Sequence, residues 1–156
     1  MQTNEQAEDT MKKKCVQIVS GLSFFLLLVS HVYAHCEIPC GIYDDQMRID
    51  MLLENITTIE KSMQQIKELE QDTQHNANQL IRWVMNKDQH ADKLQEIVTQ
   101  YFMTQRIKLD AKDYDKKLGL LHQMLVYGMK CKQTTDLSNV TKLRELVKDF
   151  QVLYFQ

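Results

Sequence analysis

The chain has 156 residues, a length that suits one domain. Its 19 basic and 21 acidic residues leave a net charge of −2, which argues against a general nucleic-acid-binding face. Gly and Pro are scarce, with 4 and 1 occurrences, while straight-chain residues that lose little rotamer freedom in a helix are plentiful. This composition predicts an all-α protein.

Residues 1–34 have the pattern of a secretory signal peptide. Three lysines follow Met11, a short apolar run comes next, and Val32 and Ala34 occupy positions −3 and −1 before a cleavage site. A membrane-spanning helix needs roughly 20 apolar residues, so a membrane anchor is the weaker alternative. We therefore expect a secreted protein whose mature chain begins at His35 and has no membrane segment.

Four amphipathic stretches predict four helices within residues 44–156. Asp44 and Asp45 can cap the first helix and complement its dipole. Apolar residues then recur at steps of three and four, which is typical of one buried helix face. The faces consist of Leu52, Ile56, Ile59, Met63 and Ile66; Leu80, Val84, Ala91, Leu94, Val98 and Tyr101; Tyr114, Leu118, Leu121, Leu125 and Met129; and Val140, Leu143, Val147, Phe150 and Leu153. Short polar links make sequential helices neighbours, so we expect an antiparallel four-helix bundle.

The densest chemistry lies in residues 35–43, which we call the hook. Cys36 and Cys40 offer soft thiolate donors, and a proline and a glycine beside them favour a tight loop that brings both sulfurs around one ion. Cleavage before His35 would free an α-amine as a further ligand. The hook is therefore a candidate metal site that exists only after processing.

Two nitrogens and two sulfurs of the hook can form a planar donor set. The nitrogens are the freed amine of His35 and the backbone amide of Cys36, and the sulfurs are the thiolates of Cys36 and Cys40. The His35 imidazole can cap the plane from one side. Such tetragonal sites suit Ni(II) or Cu(II), whereas zinc favours four tetrahedral ligands. These anionic donors lower the potential of a trivalent state, which favours one-electron cycling.

Two other interpretations of the hook remain open. A Cys-x-x-x-Cys pair in a secreted chain is most often oxidised, which would give a secreted helical interaction protein with a Cys36–Cys40 disulfide. The hook could also bind or deliver a metal without turnover. The adjoining histidine, proline, glycine and tyrosine favour the metal over the disulfide.

Other residues with potential chemistry are isolated along the sequence. The histidines outside the hook and the presequence are His75, His90 and His122, and we expect them in the core or on the surface. We expect Cys131 to be a lone thiol or an intermolecular disulfide partner. Asn55 and Asn139 begin Asn-x-Ser/Thr sequences that a secreted chain could glycosylate.

At the hook, the chain resembles nickel-containing superoxide dismutases. Their processed N-terminus carries the signature His-Cys-x-x-Pro-Cys-Gly-x-Tyr. The matching residues are His35, Cys36, Pro39, Cys40, Gly41 and Tyr43. The resemblance implies a nickel ion held by the amine and imidazole of His35, the amide and thiolate of Cys36, and the thiolate of Cys40. It implies that Tyr43 guards the open face of the metal.

The resemblance also implies a reaction and an assembly. Superoxide and protons would give dioxygen and hydrogen peroxide through Ni(II)/Ni(III) cycling, in a homohexamer of four-helix bundles.

The chain departs from the family pattern near the hook. Glu37 replaces the usual Asp, and Asp50 lies one residue closer to the hook than the acid that buttresses the axial imidazole in the family. Both acids are therefore candidate supports of the hook. The family also uses a distant arginine at that imidazole, and its candidate counterparts here are Arg82, Lys87 and His90.

Overall fold

The computed structural model describes residue 17 and residues 44–156, so the predicted signal peptide, apart from residue 17, and the hook lie outside the described residues. The chain divides into two compact units, Met1–Ile38 and Pro39–Gln156, and the helices below belong to the second. The described part is helical and has no strand, which confirms the all-α class. None of its helices is both long enough and apolar enough to cross a membrane.

Four α-helices account for most of residues 44–156. They are α1 (Asp45–Leu69), α2 (Thr73–Glu96), α3 (Tyr114–Gln133) and α4 (Leu137–Tyr154). A single 3-10 turn, Glu70–Asp72, joins α1 to α2, and a π-helical segment, Ile97–Arg106, extends α2. Asp44 caps α1 as expected, because its side chain accepts a hydrogen bond from the backbone N–H of Gln46 at 2.8 Å.

Contacts between neighbouring helices run in opposite directions along the chain. Between α1 and α4, Arg144 contacts Glu60, whereas the later Gln151 contacts the earlier Gln46. Between α2 and α3, the Lys87 ammonium donates to the carbonyl of Cys131, whereas Gln95 donates to that of Leu125. Between α1 and α2, Ser62 pairs with Asn86 and Asn55 with His90. The described helices therefore pack antiparallel, as the short links predict.

The helix faces that the sequence predicts form most of the core. The fully buried large side chains are Phe102, Phe150, Ile49, Leu52, Ile56, Ile59, Met63, Ile66, Leu94, Leu121, Met124 and Leu143. Each buried side chain of this size stabilises the fold by about 1.5–3 kcal/mol.

The predictions that Val84 and Met129 lie in the core are wrong, and Met129 is 44% exposed on α3. Val84 is 37% exposed, and its neighbours Ile81 and Met85 are 59% and 65% exposed. Val84 and its neighbours are exposed because α3 is too short to cover them, since its last turn ends opposite Lys87. Helix α2 before that residue therefore has no α3 to cover its outer face.

Of the two alternatives expected for Cys131, the packing favours the lone thiol over an intermolecular disulfide, and it also conflicts with use of Asn55 as a glycan acceptor. Cys131 is a free thiol with no exposed surface, so it cannot reach a second chain. Asn55 is 6% exposed, and its side chain donates to the carbonyl of Met51 at 2.8 Å and accepts from His90 Nδ1 at 2.7 Å. A glycan on Asn55 is incompatible with this packing.

Burial should also make the Cys131 thiol unreactive. Desolvation raises its pKa to about 11, against a smaller opposing effect of Lys87, and the thiolate is the reactive form. In a mature chain with Cys36→Ser and Cys40→Ser, Ellman's reagent at pH 8 should label no thiol in buffer and Cys131 in urea. Adding Met129→Cys, at a 44% exposed position on α3, gives the control that labels at once. Labelling of native Cys131 as fast as that control would contradict the burial.

Candidate metal centre

The predicted nickel donors and Tyr43 lie outside the described residues. The roles of His35, Cys36, Glu37, Cys40 and Tyr43 therefore stay predictions. The described chain begins directly after Tyr43, with the N-cap of α1. Within residues 44–156, no group of three or more His, Cys, Asp or Glu side chains could hold a metal ion. The described bundle therefore offers no rival site to the hook.

The predicted support Asp50 lies on the exposed side of the first turns of α1. Its carboxylate accepts a hydrogen bond from Gln46 Nε2, one helical turn earlier, at 2.8 Å. This bond holds the carboxylate beside Gln46, in the first turns of α1. A contact with the His35 imidazole stays a prediction.

The three candidate counterparts of the family's distant arginine, Arg82, Lys87 and His90, lie along α2. Each has neighbours elsewhere in the described bundle. Lys87 is 3% exposed, and its ammonium donates to Asp88 at 2.8 Å and to the carbonyls of Cys131 and Lys132 at 2.8 and 2.5 Å. It satisfies carbonyls that the last turn of α3 would otherwise leave unpaired.

Arg82 and His90 face α1 at positions remote from its first turn. Arg82 lines a surface cleft with Thr58, which lies about 21 Å along the helix axis from Asp44. His90 is bonded to Asn55, and burial followed by Lys93 lowers the pKa of its imidazole. The prediction that Arg82, Lys87 or His90 supports the His35 imidazole stays untested.

A cluster that the sequence did not reveal surrounds the first residue of α1. We call Asp45, Tyr101, Arg106 and Tyr154 the Asp45 cluster. One oxygen of the Asp45 carboxylate accepts hydrogen bonds from the Tyr101 hydroxyl and, at 2.7 Å, from Arg106 Nε. The other oxygen accepts from the Tyr154 hydroxyl at 2.9 Å. Arg106 Nη2 also donates to the Tyr101 hydroxyl at 2.9 Å, so the four side chains form one network.

The π-helical turn explains why Tyr101 and Arg106 can share a partner. An α-helix advances 100° per residue, so residues five apart would point about 140° away from each other. A π-helix pairs residues i and i+5 instead, and the N–H of Ile107 donates to the carbonyl of Phe102 at 2.9 Å. This register places Tyr101 and Arg106 on one side of the segment. A search for α-helical spacing could not find the pair.

The cluster keeps Asp45 ionised and both tyrosines protonated. Burial alone would raise the pKa of Asp45, but the hydrogen bonds from Tyr101, Tyr154 and Arg106 and the charge of Arg106 outweigh it and lower that pKa. Burial and the carboxylate raise the pKa of Tyr101 and, more strongly, that of Tyr154. The guanidinium carbons of Arg48 and Arg106 lie 4.9 and 5.0 Å from the centre of the Tyr101 ring.

The fold and the hook define a class of protein, an all-α metalloprotein whose candidate donors precede α1. A family model described as nickel-containing superoxide dismutase matches residues 30–156. The chain belongs to this family, so it is a superoxide dismutase, an oxidoreductase with nickel as its cofactor. No curated protein and no solved structure matches the chain.

The pKa of Asp45 gives a testable dependence of stability on pH. Because folding lowers this pKa, the stabilisation is complete above the unfolded value of about 3.9 and is lost as pH falls through the folded value. Asp45→Asn should lower the free energy of unfolding by about 1.5–3 kcal/mol at pH 6, since hydrogen bonds to charged groups contribute that much. The difference from wild type should shrink below pH 4 in urea titrations.

The control for this titration is Asp149→Asn. Asp149 is an exposed residue on α4 whose side chain has no hydrogen bond or ion pair with the described residues. Its substitution makes the same change in charge, so it should leave the free energy of unfolding nearly unchanged at both pH values. Equal losses in the two variants would show that net charge, rather than the cluster, sets the acid response.

Proposed function

We propose that the mature chain begins at His35, is secreted, and dismutes superoxide by cycling between Ni(II) and Ni(III). Two superoxide anions and two protons give one dioxygen and one hydrogen peroxide, so the metal alternately accepts and returns one electron. The observation that carries the proposal is the family match, which spans residues 30–156 and so includes the whole hook.

The donors of the hook suit nickel. His35 would supply its amine and its imidazole, Cys36 its backbone amide and thiolate, and Cys40 its thiolate. Two thiolates with nitrogen donors form the N,S set that favours tetragonal Ni(II) over hard cations, which prefer oxygen. When bound, nickel supplies the one-electron chemistry, while Tyr43 would restrict access to the open face. Glu37 and Asp50 would support the hook by hydrogen bonding.

The order of events matters for the donors. Before cleavage after Ala34, the nitrogen of His35 belongs to an amide bond and cannot serve as an amine ligand. The secretory route is oxidising, so nickel binding competes with formation of a Cys36–Cys40 disulfide.

We also propose that the mature protein is a homo-oligomer, with a hexamer implied by the resemblance. The exposed side chains of Ile81, Val84 and Met85 lie within two turns of α2 and support this part of the proposal. Adjacent exposed apolar side chains of this kind are typical of association surfaces.

Native mass spectrometry of the secreted protein, with metal quantification and a superoxide dismutase assay, tests the proposal. We expect a chain that begins at His35, about one nickel per chain by the donor count above, and dismutase activity. A different N-terminus, or a metal-free disulfide form without activity, would contradict it.

A His35→Ala variant separates catalysis from simple metal binding. The variant keeps the amine, the amide and both thiolates but lacks the imidazole. Retained nickel with lost turnover would assign the imidazole a redox role, and unchanged turnover would refute that role. The control is His75→Ala, because His75 is exposed on α2 and, among the described residues, its side chain makes hydrogen bonds only to Asp72. It should match wild type in nickel content and turnover.

A further inference from the structure

We propose that the Asp45 cluster is a clamp through which the C-terminal helix holds the nickel hook in position. Asp45 and Tyr154 are its positioning residues, because they act on the metal through the chain segment that carries the donors. This inference rests on the proposed function and names residues of the same site that neither the hook motif nor the helix pattern identifies.

The chain connects Asp45 closely to the hook. Asp45 is the first residue of α1, and Cys40 lies five residues before it in the sequence. Five residues span at most about 18 Å, so the position of Asp45 bounds the region that the Cys40 thiolate can occupy. Asp44 further restricts the junction, because it adopts an extended backbone and its side chain caps α1. Fixing Asp45 therefore limits the freedom of the hook.

Three helical elements meet at Asp45. Its carboxylate joins α1 to the π-helical segment through Tyr101 and Arg106, and to the end of α4 through Tyr154. Tyr154 is the last residue of α4. The final turn of α4 thus holds Asp45, which lies two residues after the hook ends at Tyr43. A site whose donors come from one end of the chain would depend on the folding of the other end.

The Tyr154 side chain is held in place by its ring contacts and by its hydroxyl. Its ring stacks on Phe150 at 5.3 Å and meets the edge of Phe102 at 5.5 Å, while its hydroxyl donates to Asp45. Phe102 and Phe150 have no exposed surface. The ring is therefore fixed by packing that does not depend on its hydroxyl. Tyr154→Phe removes one hydrogen bond to Asp45 and preserves the ring contacts.

A matched control exists on α1 and α4, the two helices that the Asp45–Tyr154 hydrogen bond joins. Glu60 on α1 and Arg144 on α4 form an ion pair at 2.7 Å, with side chains 37% and 29% exposed. The Asp45–Arg106 pair has the same 2.7 Å distance and exposures of 27% and 23%. Glu60 lies 15 residues after Asp45, about 22 Å along α1. Glu60→Gln therefore weakens a similar contact far from the hook.

The experiment compares nickel release from the mature holoenzyme in four proteins: wild type, Asp45→Asn, Tyr154→Phe and Glu60→Gln. Removing a group that orients metal ligands typically costs 10–100-fold in metal affinity. We expect EDTA to remove nickel at least about tenfold faster from Asp45→Asn, and measurably faster from Tyr154→Phe. The visible circular dichroism and the electron paramagnetic resonance spectrum of the nickel should change in both. Glu60→Gln should keep the wild-type release rate and spectra, even if its melting temperature falls.

Equal release rates and spectra in Asp45→Asn and Glu60→Gln would overturn the clamp, since a general loss of stability would then explain both variants. If Asp45→Asn does not fold, Tyr154→Phe decides alone, and wild-type release and spectra in that variant would overturn the clamp.

Hydrogen exchange in the metal-free chain separates this inference from the proposed function. Asp45→Asn and Tyr154→Phe should speed amide exchange in a peptide that covers residues 39–44, whereas Glu60→Gln should not. Faster exchange in the clamp variants of a protein that never binds nickel would support the clamp and refute the proposed function. Unchanged exchange would refute the clamp whatever the metal content.

Discussion

The carboxylate of Asp45 is the constraint around which this end of the bundle is arranged. An ionised carboxylate that is partly removed from water is costly unless charged and polar donors replace the lost hydration. Tyr101, Arg106 and Tyr154 provide those donors, and each comes from a position that only the folded bundle brings near α1. The start of α1 is therefore stabilised by the assembled bundle, in addition to its own N-cap.

This arrangement suits a metal site whose donors precede the first helix. The hook is short, and in the proposed function its amine ligand would exist only after the presequence is removed. A short loop pays a large entropic cost when it closes around an ion, and a fixed anchor lowers that cost by limiting the states of the free loop. The bundle, the π-helical turn and the last residue of α4 then contribute to metal binding without supplying a ligand. In the proposed function, the one-electron exchange with superoxide would belong to the nickel and its thiolates.

Much of the fold could be predicted from the sequence, because the helix faces repeat with the period of an α-helix. The buried Ile56, Met63 and Leu143 follow this rule, and the Asp44 cap follows from the preference for a side-chain oxygen at that position. Val84 did not follow this rule, because the period of apolar residues identifies the buried face of a helix but not the length of the neighbouring helix that covers that face.

The Asp45 cluster could not be predicted in the same way. Tyr101 and Arg106 are five residues apart, a spacing that places side chains together only in a π-helix, and Tyr154 is distant in sequence from both. The sequence singled out Asp45 only as a capping residue. The hook, in contrast, was predicted from its residue types alone, because thiolates and an imidazole beside a new N-terminus would carry their chemistry independently of the fold, and its donors stay a prediction. The family match over residues 30–156 then supports the nickel assignment.

The central claim is that the processed hook holds nickel through the thiolates of Cys36 and Cys40. Nickel K-edge X-ray absorption on the mature protein tests it most directly, since sulfur and lighter donors scatter differently. The account predicts sulfur scatterers together with nitrogen donors, and loss of the sulfur signal when both cysteines are replaced by serine. A coordination shell of oxygen and nitrogen alone, unchanged by that substitution, would contradict it.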